Sequence, residues 1–122
     1  MEKKYFIDII KKNMTTQERI DFFREEFEKM MVISATKGVE YANDDHDANF
    51  NFKEISKQLG LTPEKVLWIY VKKHLQSVES YLKRGEVLST EPIEGRIHDI
   101  ILYNFILLSL LKEKSKDNGL PF

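Results

Sequence analysis

Glycine and proline are scarce in this chain, and that scarcity constrains its fold more than any other feature. Five glycines and three prolines are spread over 122 residues, so long stretches contain nothing that would interrupt a helix. Valine and isoleucine fall at helical spacing and do not alternate with polar residues as they would in strands. The sequence therefore predicts an all-α fold, a compact helical bundle of about five helices in a single domain over residues 1–122.

The helix boundaries are predicted from caps and breakers. Thr15 and Glu18 form a capping box before the second helix, and Gly38 is expected to end it. Gly60 is expected to end the third helix, and Thr62 with Pro63 to begin the fourth. The buried stripe predicted for the second helix consists of Ile20, Phe23, Phe27, Met30, Met31 and Ser34. Residues 39–51 contain many Asn and Asp residues, which indicates a loop. The predicted helices cover 4–12 in an N-terminal segment 1–14, then 16–37, 52–59, 63–83 and 93–114, with a frayed tail over 115–122.

Composition excludes several classes of function. Without cysteine the chain has no disulfide, zinc thiolate site or cysteine nucleophile. A formal net charge of −1 lacks the basic excess typical of a dedicated nucleic-acid binder. The longest apolar run, Ile100–Leu111, is interrupted by Asn104 and is too short to span a bilayer, and the first residues lack the apolar core of a signal peptide. We therefore expect a cytoplasmic protein without a membrane partner.

The predicted loop is the first candidate site because carboxylates are concentrated in it. Oxygen-rich loops bind calcium or magnesium, but this one lacks the glycine that an EF-hand loop needs. The alternative is a solvated turn whose Asp and Asn side chains cap helix ends. Phe50 is expected in the core, where it would hold Asn49 near the bundle. The acidic cluster and its histidine are Glu40, Asp44, Asp45, Asp47 and His46.

Two helical faces carry the second and third candidate sites. On the fourth predicted helix, spacings of four, three and four residues place polar side chains on one face, with Lys73 at its edge: Tyr70, His74, Ser77 and Tyr81. On the last helix, spacings of three and four align a second set: Arg96, Asp99 and Tyr103. The alternative for both faces is a core margin whose polar tips reach water.

Asn104 interrupts the apolar stripe predicted on the last helix, which is formed by Ile97, Ile101, Leu108 and Leu111. A buried amide without hydrogen-bond partners costs on the order of 1–3 kcal/mol, so Asn104 is expected to bond to a neighbouring helix or to line a polar pocket.

Residues 52–66 resemble a helix-turn-helix unit. Ser56 and Gly60 are small where two short helices would meet, and the surrounding positions are aliphatic. The would-be recognition helix begins Pro63-Glu64-Lys65, with a single cation. We therefore interpret this unit as packing, and a DNA-binding regulator is the third hypothesis for function.

Three segments together resemble a family of small phage proteins, the nucleotide-modification-associated domain 1 family. They are Gly38-Val-Glu-Tyr-Ala-Asn-Asp-Asp-His-Asp-Ala-Asn-Phe, Lys73-His74, and residues 91–104 with Asp99 and the Tyr-Asn pair. The resemblance covers about residues 27–111 and implies a phage or prophage origin, host cytoplasm and an association with nucleotides. It points to Glu40, Tyr41, Asp45, Asn49, Phe50, Lys73, His74, Asp99, Tyr103 and Asn104.

A weaker likeness is to the all-α nucleoside-triphosphate pyrophosphohydrolases of the MazG type. They hold magnesium with a Glu-Glu-x-x-Glu helix and a later Glu-x-x-Asp. Here Glu25-Glu26-Phe27-Glu28 is one residue short of that spacing, and Glu94 and Asp99 lie five apart. Carboxylates five apart do not share a helix face, which weakens the metal-hydrolase hypothesis.

The leading hypothesis is a phage-encoded binder of a nucleotide or nucleotide-derived molecule, without a cofactor, that sequesters a host defence signal. Lys73 and Arg96 would hold phosphate, tyrosines the base, and Asn49 or Asn104 its polar edges. The protein is expected to be a homo-oligomer through the aromatic residues Phe22, Trp68 and Tyr70. The second hypothesis is a magnesium-dependent hydrolase that would use Glu25, Glu28, Asp45 and Asp99.

Overall fold

The computed structural model describes residues 13–41, 47–85 and 92–119. Within those ranges the chain forms four helices and no strand: α1 Thr16–Tyr41, α2 Phe50–Leu59, α3 Pro63–Arg84 and α4 Ile93–Asn118. The all-α prediction is confirmed. The helix predicted over residues 4–12 lies outside the described ranges, so the count of five helices stays a prediction. No helix in the described part of the chain is long and apolar enough to cross a membrane.

The chain divides into two compact units, Met1–Ile33 and Ser34–Phe122. The described part of the first unit is the beginning of α1. Its start follows the predicted capping box: the Glu18 amide donates to Thr15 Oγ1 over 3.1 Å, and the Thr15 amide donates to Glu18 Oε1 over 3.3 Å. In this unit Met30 is buried, whereas the other large apolar side chains predicted for the stripe are exposed. The single-domain interpretation stays a prediction.

Three predicted helix boundaries are wrong. α1 continues through Gly38 to Tyr41, because one glycine inside a helix costs only about 1 kcal/mol relative to alanine. α2 begins at Phe50, two residues earlier than expected. α4 continues to Asn118 and ends at Gly119, whose φ of +65° is the left-handed conformation typical of a helix C-cap, so residues 115–118 are helical and not frayed.

The turn between α2 and α3 follows the predicted cap chemistry. Gly60 has φ of +67° and donates its amide to the Ser56 carbonyl, which ends α2. The Lys65 amide then donates to Thr62 Oγ1 over 3.3 Å, and Pro63 occupies the first turn of α3. Two helices joined by so short a turn must pack on each other. Whether they form a true helix-turn-helix unit stays a prediction.

The core of the second unit lies where α2, α3 and α4 meet. Its buried side chains are Phe52, Val66, Leu67 and Leu110, with Ile55, Tyr70, Tyr103, Ile106 and Leu107 packed around them. Phe52, and not the half-buried Phe50, is therefore the phenylalanine that α2 inserts into the core. α3 also packs along α4, which brings the polar faces predicted on these two helices together.

The buried faces of α3 and α4 were predicted only in part. Helical spacing on α3 predicts one buried line formed by Leu67, Val71, Leu75, Val78 and Leu82. Leu67 and Val71 are 0% and 1% exposed, which confirms the first half of this line, whereas Leu75 and Leu82 are 39% and 73% exposed. The predicted stripe of α4 is likewise exposed: Ile97, Ile101, Leu108 and Leu111. The rings on α3 have apolar bodies that pack well, and α4 is apolar on nearly every side over residues 100–111. Periodicity alone could not choose which face of such a helix is buried.

Candidate functional site

The polar faces of α3 and α4 meet in three successive pairs. The two helices run antiparallel, so residue numbers rise along α3 in the direction in which they fall along α4. The three pairs are Tyr70–Tyr103, His74–Asp99 and Ser77–Arg96, which we call the polar ladder. The second and third candidate sites of the sequence are therefore one surface.

His74 is the centre of the polar ladder. Its Nε2 lies 3.2 Å from Asp99 Oδ2, and its Nδ1 lies 3.0 Å from the carbonyl oxygen of Tyr70 one turn earlier. Both partners are hydrogen-bond acceptors, whereas a neutral imidazole can donate from one nitrogen only. A neutral ring therefore donates to only one of the two acceptors at a time. Both ring nitrogens face acceptors of the protein itself.

Asp99 also accepts from a third helix. Lys37, near the end of α1, places its Nζ 3.5 Å from Asp99 Oδ1. The carboxylate is only 17% exposed, whereas the lysine side chain is 49% exposed. The long distance and the exposed lysine indicate a loose pair in which the ammonium group remains accessible. Sequence analysis missed Lys37, because no local spacing connects it with Asp99.

Arg96 and Ser77 form the end of the polar ladder that lies farthest from the core. The Arg96 guanidinium donates a hydrogen bond to Ser77 Oγ, one turn from His74 and Asp99. Tyr81 follows on the same side of α3, one further turn along, and is half-buried. This end therefore combines a guanidinium, a hydroxyl and a nearby aromatic ring.

The opposite end of the polar ladder merges with the core through aromatic rings. Tyr70 and Tyr103 stack with their centroids 6.0 Å apart, and Phe52 meets Tyr70 edge-on at 6.0 Å. His74 also meets Tyr103 edge-on at 5.3 Å. These contacts hold the His74 ring in place. They also correct one expectation, since Tyr70 is half-buried between rings and is not an exposed aromatic.

Asn49 lies apart from the polar ladder. Its side chain is 5% exposed and donates to Ser109 Oγ over 3.1 Å and to Glu113 Oε1 over 2.9 Å. Ser109 is ten residues beyond Asp99 on α4, which corresponds to about 15 Å along the helix. Asn49 therefore anchors the start of α2 to the far half of α4. It does not take part in the same site as His74.

Lys53 completes that anchor. Its Nζ lies 2.9 Å from Glu113 Oε2 and 3.0 Å from Asp47 Oδ2. The hydrogen bond that Lys53 donates to Glu113, helped by Asp47, raises the pKa of Lys53 above its ordinary 10.5, although partial burial opposes this. Asp47 Oδ1 also accepts from the backbone amide of Asn49 over 3.0 Å, which forms an Asx turn directly before α2. Asn49, the N-cap residue, makes no side-chain cap hydrogen bond, so the turn alternative for this residue of the loop is supported and the capping role is not.

Three further candidates do not lie in the polar ladder. Asn104 is exposed and donates to the Ile100 carbonyl of its own helix over 2.7 Å, so it neither bonds a neighbouring helix nor lines a pocket. Lys73 is exposed beside His74 and lies one turn before Ser77. Phe50 is half-buried at the start of α2.

The remaining candidates are only partly described. Glu40 and Tyr41 belong to the last turn of α1 and not to a loop, and the positions of their side chains lie outside the description. Asp45 lies outside the described residues altogether.

Two of the residues proposed for magnesium belong to the first unit, and Asp99 belongs to the second. Glu25 and Glu28 are exposed in the first unit, and Asp99 is already engaged by His74 and Lys37. Within residues 13–41, 47–85 and 92–119, no group of three histidine or carboxylate side chains is arranged to hold a metal ion. Asp45, the fourth proposed ligand, is outside these ranges.

Comparison of the chain with protein-family models, with curated proteins and with solved structures found no match. The phage-family resemblance of the sequence therefore stays an expectation, and the interpretation of the site rests on its geometry.

Proposed function

We propose that this chain binds a nucleotide or a nucleotide-derived anion at the outer end of the polar ladder and holds it without cleaving it. The observation that carries the proposal is that Lys37 and His74 both contact Asp99, while Arg96, about one turn earlier on the same helix, donates to Ser77 of the polar ladder. Two permanent cations and one histidine thus lie at or beside this end of the polar ladder. An arrangement of this charge favours an added phosphate.

The ligand's phosphate would bind between Lys37 and Arg96. Lys37 can leave its loose contact with Asp99, and the Arg96 guanidinium presents several donors in one plane. Lys73, exposed at the edge of the same surface, would add charge. Tyr81, one turn beyond Ser77, is the tyrosine placed to contact a base on this side.

The geometry supports holding over hydrolysis. A general base needs a nitrogen or an oxygen that can accept a proton from the attacking water. Both nitrogens of His74 face acceptors within the protein, and Asp99 Oδ2 is bonded to His74, which disfavours either group as that base. If the chain is encoded by a phage, as its sequence resemblance implies, a binder of this kind would act by sequestering a host defence signal.

The test is isothermal titration calorimetry of the full chain with the common ribo- and deoxyribonucleoside mono- and triphosphates. At least one should bind, and Lys37→Met and Arg96→Gln should each weaken that binding by tenfold or more. Lys57→Met removes an exposed lysine on α2 and should leave the affinity unchanged. If no nucleotide binds, or if all three variants behave alike while remaining helical by circular dichroism, the proposal is wrong.

The hydrolase alternative has its own measurement. The nucleotide that binds most tightly is incubated with the protein and magnesium, and products are followed by ³¹P NMR. We expect no turnover beyond the rate without protein. Turnover that disappears in Asp99→Asn, while binding persists, would replace sequestration by catalysis.

A gel-shift assay distinguishes the DNA-regulator alternative from nucleotide binding. Specific DNA binding in a gel-shift assay at physiological salt would favour it over the nucleotide proposal.

A further inference from the structure

α3 carries an exposed apolar stripe on the side turned away from the polar ladder. Trp68, Leu75 and Leu82 follow one another at intervals of seven residues and are 42%, 39% and 73% exposed. Seven residues are two helical turns, so the three side chains lie in one line. Tyr70 and Ser77 each come two residues after a member of this line, which places them on the opposite side of the helix.

Two opposite charges lie between the apolar residues of this line. Lys72 follows Trp68 by four residues, and Glu79 follows Leu75 by four residues, so both occupy the same edge of the line. Both side chains are exposed. We call Trp68, Lys72, Leu75, Glu79 and Leu82 together the α3 stripe.

We propose that the α3 stripe is the contact surface for a second copy of this chain, joined to it by a two-fold axis that makes the two α3 helices antiparallel. The axis passes at Leu75, which packs against the partner's Leu75. Trp68 then faces the partner's Leu82, because both lie seven residues from the axis. The same symmetry places Lys72 beside the partner's Glu79, with an axial offset of about 1.5 Å.

The charges of the α3 stripe identify both the partner and its direction. In the antiparallel pair each Lys72 meets a Glu79, so two reciprocal ion pairs form. In a parallel pair related by a two-fold axis along the helices, the charged edges of the two copies lie on opposite sides of the contact, so neither ion pair forms. A surface whose own charges are complementary under a two-fold rotation is what an isologous dimer requires.

The contact is small. From Trp68 to Leu82 the helix rises about 21 Å, and one helix pair of this length lies at the low end of specific interfaces, near 1,000 Å² of buried surface. The dimer should therefore be reversible and should dissociate on dilution in the micromolar range.

Sedimentation equilibrium of the full chain tests the charge argument. The wild type should be a monomer–dimer mixture, and Lys72→Glu and Glu79→Lys should each raise the dimer Kd by tenfold or more. The double variant, or an equimolar mixture of the two single variants, should restore dimers because opposite charges face each other again. Lys112→Glu, an exposed lysine on α4, makes the same charge change elsewhere and should have no effect.

A disulfide experiment tests the direction of the helices. The chain has no cysteine, so introduced thiols report a single contact. Under mild oxidation a mixture of Trp68→Cys and Leu82→Cys chains should cross-link, and neither variant should do so alone. Cross-linking of Trp68→Cys with itself would overturn the antiparallel arrangement.

Two further results would contradict the proposal that the chain dimerises through the α3 stripe. One is a wild-type chain that stays monomeric at several hundred micromolar, as it would if the α3 stripe were covered by the chain's own first unit. The other is a double charge variant that fails to regain dimers. Dimerisation does not depend on the proposed ligand, so Lys72→Glu should weaken dimers while retaining nucleotide affinity. The two proposals therefore fail separately.

Discussion

At the scale of single residues, Asp99 connects three helices. It accepts from His74 on α3 over 3.2 Å and from Lys37 on α1 over 3.5 Å, and it lies on α4 itself. Because the His74 and Asp99 side chains are only 20% and 17% exposed, the bond between them is partly shielded from water, whereas the pair with Lys37 is looser and more exposed. Asp99 thus orients His74 and contacts Lys37 at the proposed site.

Asp99→Asn should destabilise the fold by about 1–3 kcal/mol, because the neutral amide cannot pair with Lys37 and accepts a weaker bond from His74. Urea denaturation followed by circular dichroism measures the loss. Asp117→Asn, an exposed change on the same helix, is the matched control. Equal unfolding midpoints for Asp99→Asn and the wild type would show that this carboxylate does not hold the helices together.

Asn49 was expected at the ligand site, but in the structure it anchors α2 to α4. Asn49→Ala should lower stability by about 1–3 kcal/mol, since it removes a buried amide that satisfies Ser109 and Glu113. Nucleotide affinity should stay unchanged, because Ser109, the α4 partner of Asn49, lies about 15 Å along the helix from Asp99. Urea denaturation of this variant measures its stability, and calorimetry of the same variant measures its nucleotide affinity. A loss of affinity without a loss of stability would return Asn49 to the ligand site.

At the scale of helices, the sequence predicted the helix caps better than it predicted which face of each helix is buried. The capping box at Thr15 and the caps at Gly60 and Thr62 depend on neighbouring residues, and the structure confirms them. The end of α1 was missed because Gly38, a plausible stop, is tolerated inside the helix. These outcomes follow from local chemistry, which sequence reports well.

The buried faces of α3 and α4 depend on contacts between distant parts of the chain. α4 is apolar on nearly every side, so no pattern within it distinguishes Leu102, which is buried, from Ile101, which is exposed. The pairing of Lys37 with Asp99 is equally invisible, since it depends on how α1 lies against α4 within the second unit. The sequence did predict that Tyr70, His74 and Ser77 share one face, and the structure confirms it.

The anchor between α2 and α4 predicts a pH dependence. Because the folded state raises the pKa of Lys53, its contribution to stability is complete below about pH 10.5 and is lost as the pH rises through the folded-state value. The difference in unfolding free energy between the wild type and Lys53→Met should thus be constant from pH 7 to 9 and should shrink above 10.5. Lys57→Met on the same helix controls for the alkaline loss common to all lysines. A difference that already falls below pH 9 contradicts the anchor.

At the scale of the whole molecule, α3 organises two proposed functions on opposite sides. Its inner side carries Tyr70, His74 and Ser77 of the polar ladder, and its outer side carries the α3 stripe. A dimer formed through the outer side leaves both ladders uncovered, one on each copy. Each dimer should therefore bind two ligands with equal affinity, which calorimetry reports as a stoichiometry of one nucleotide per chain.

Native mass spectrometry of the protein purified from cells tests the central claim most directly, because it requires no prior choice of ligand. We predict a chain or dimer that carries the added mass of one nucleotide-sized molecule per chain, and the loss of that mass in Arg96→Gln. An unliganded wild type that also binds no member of the nucleotide panel would contradict the account.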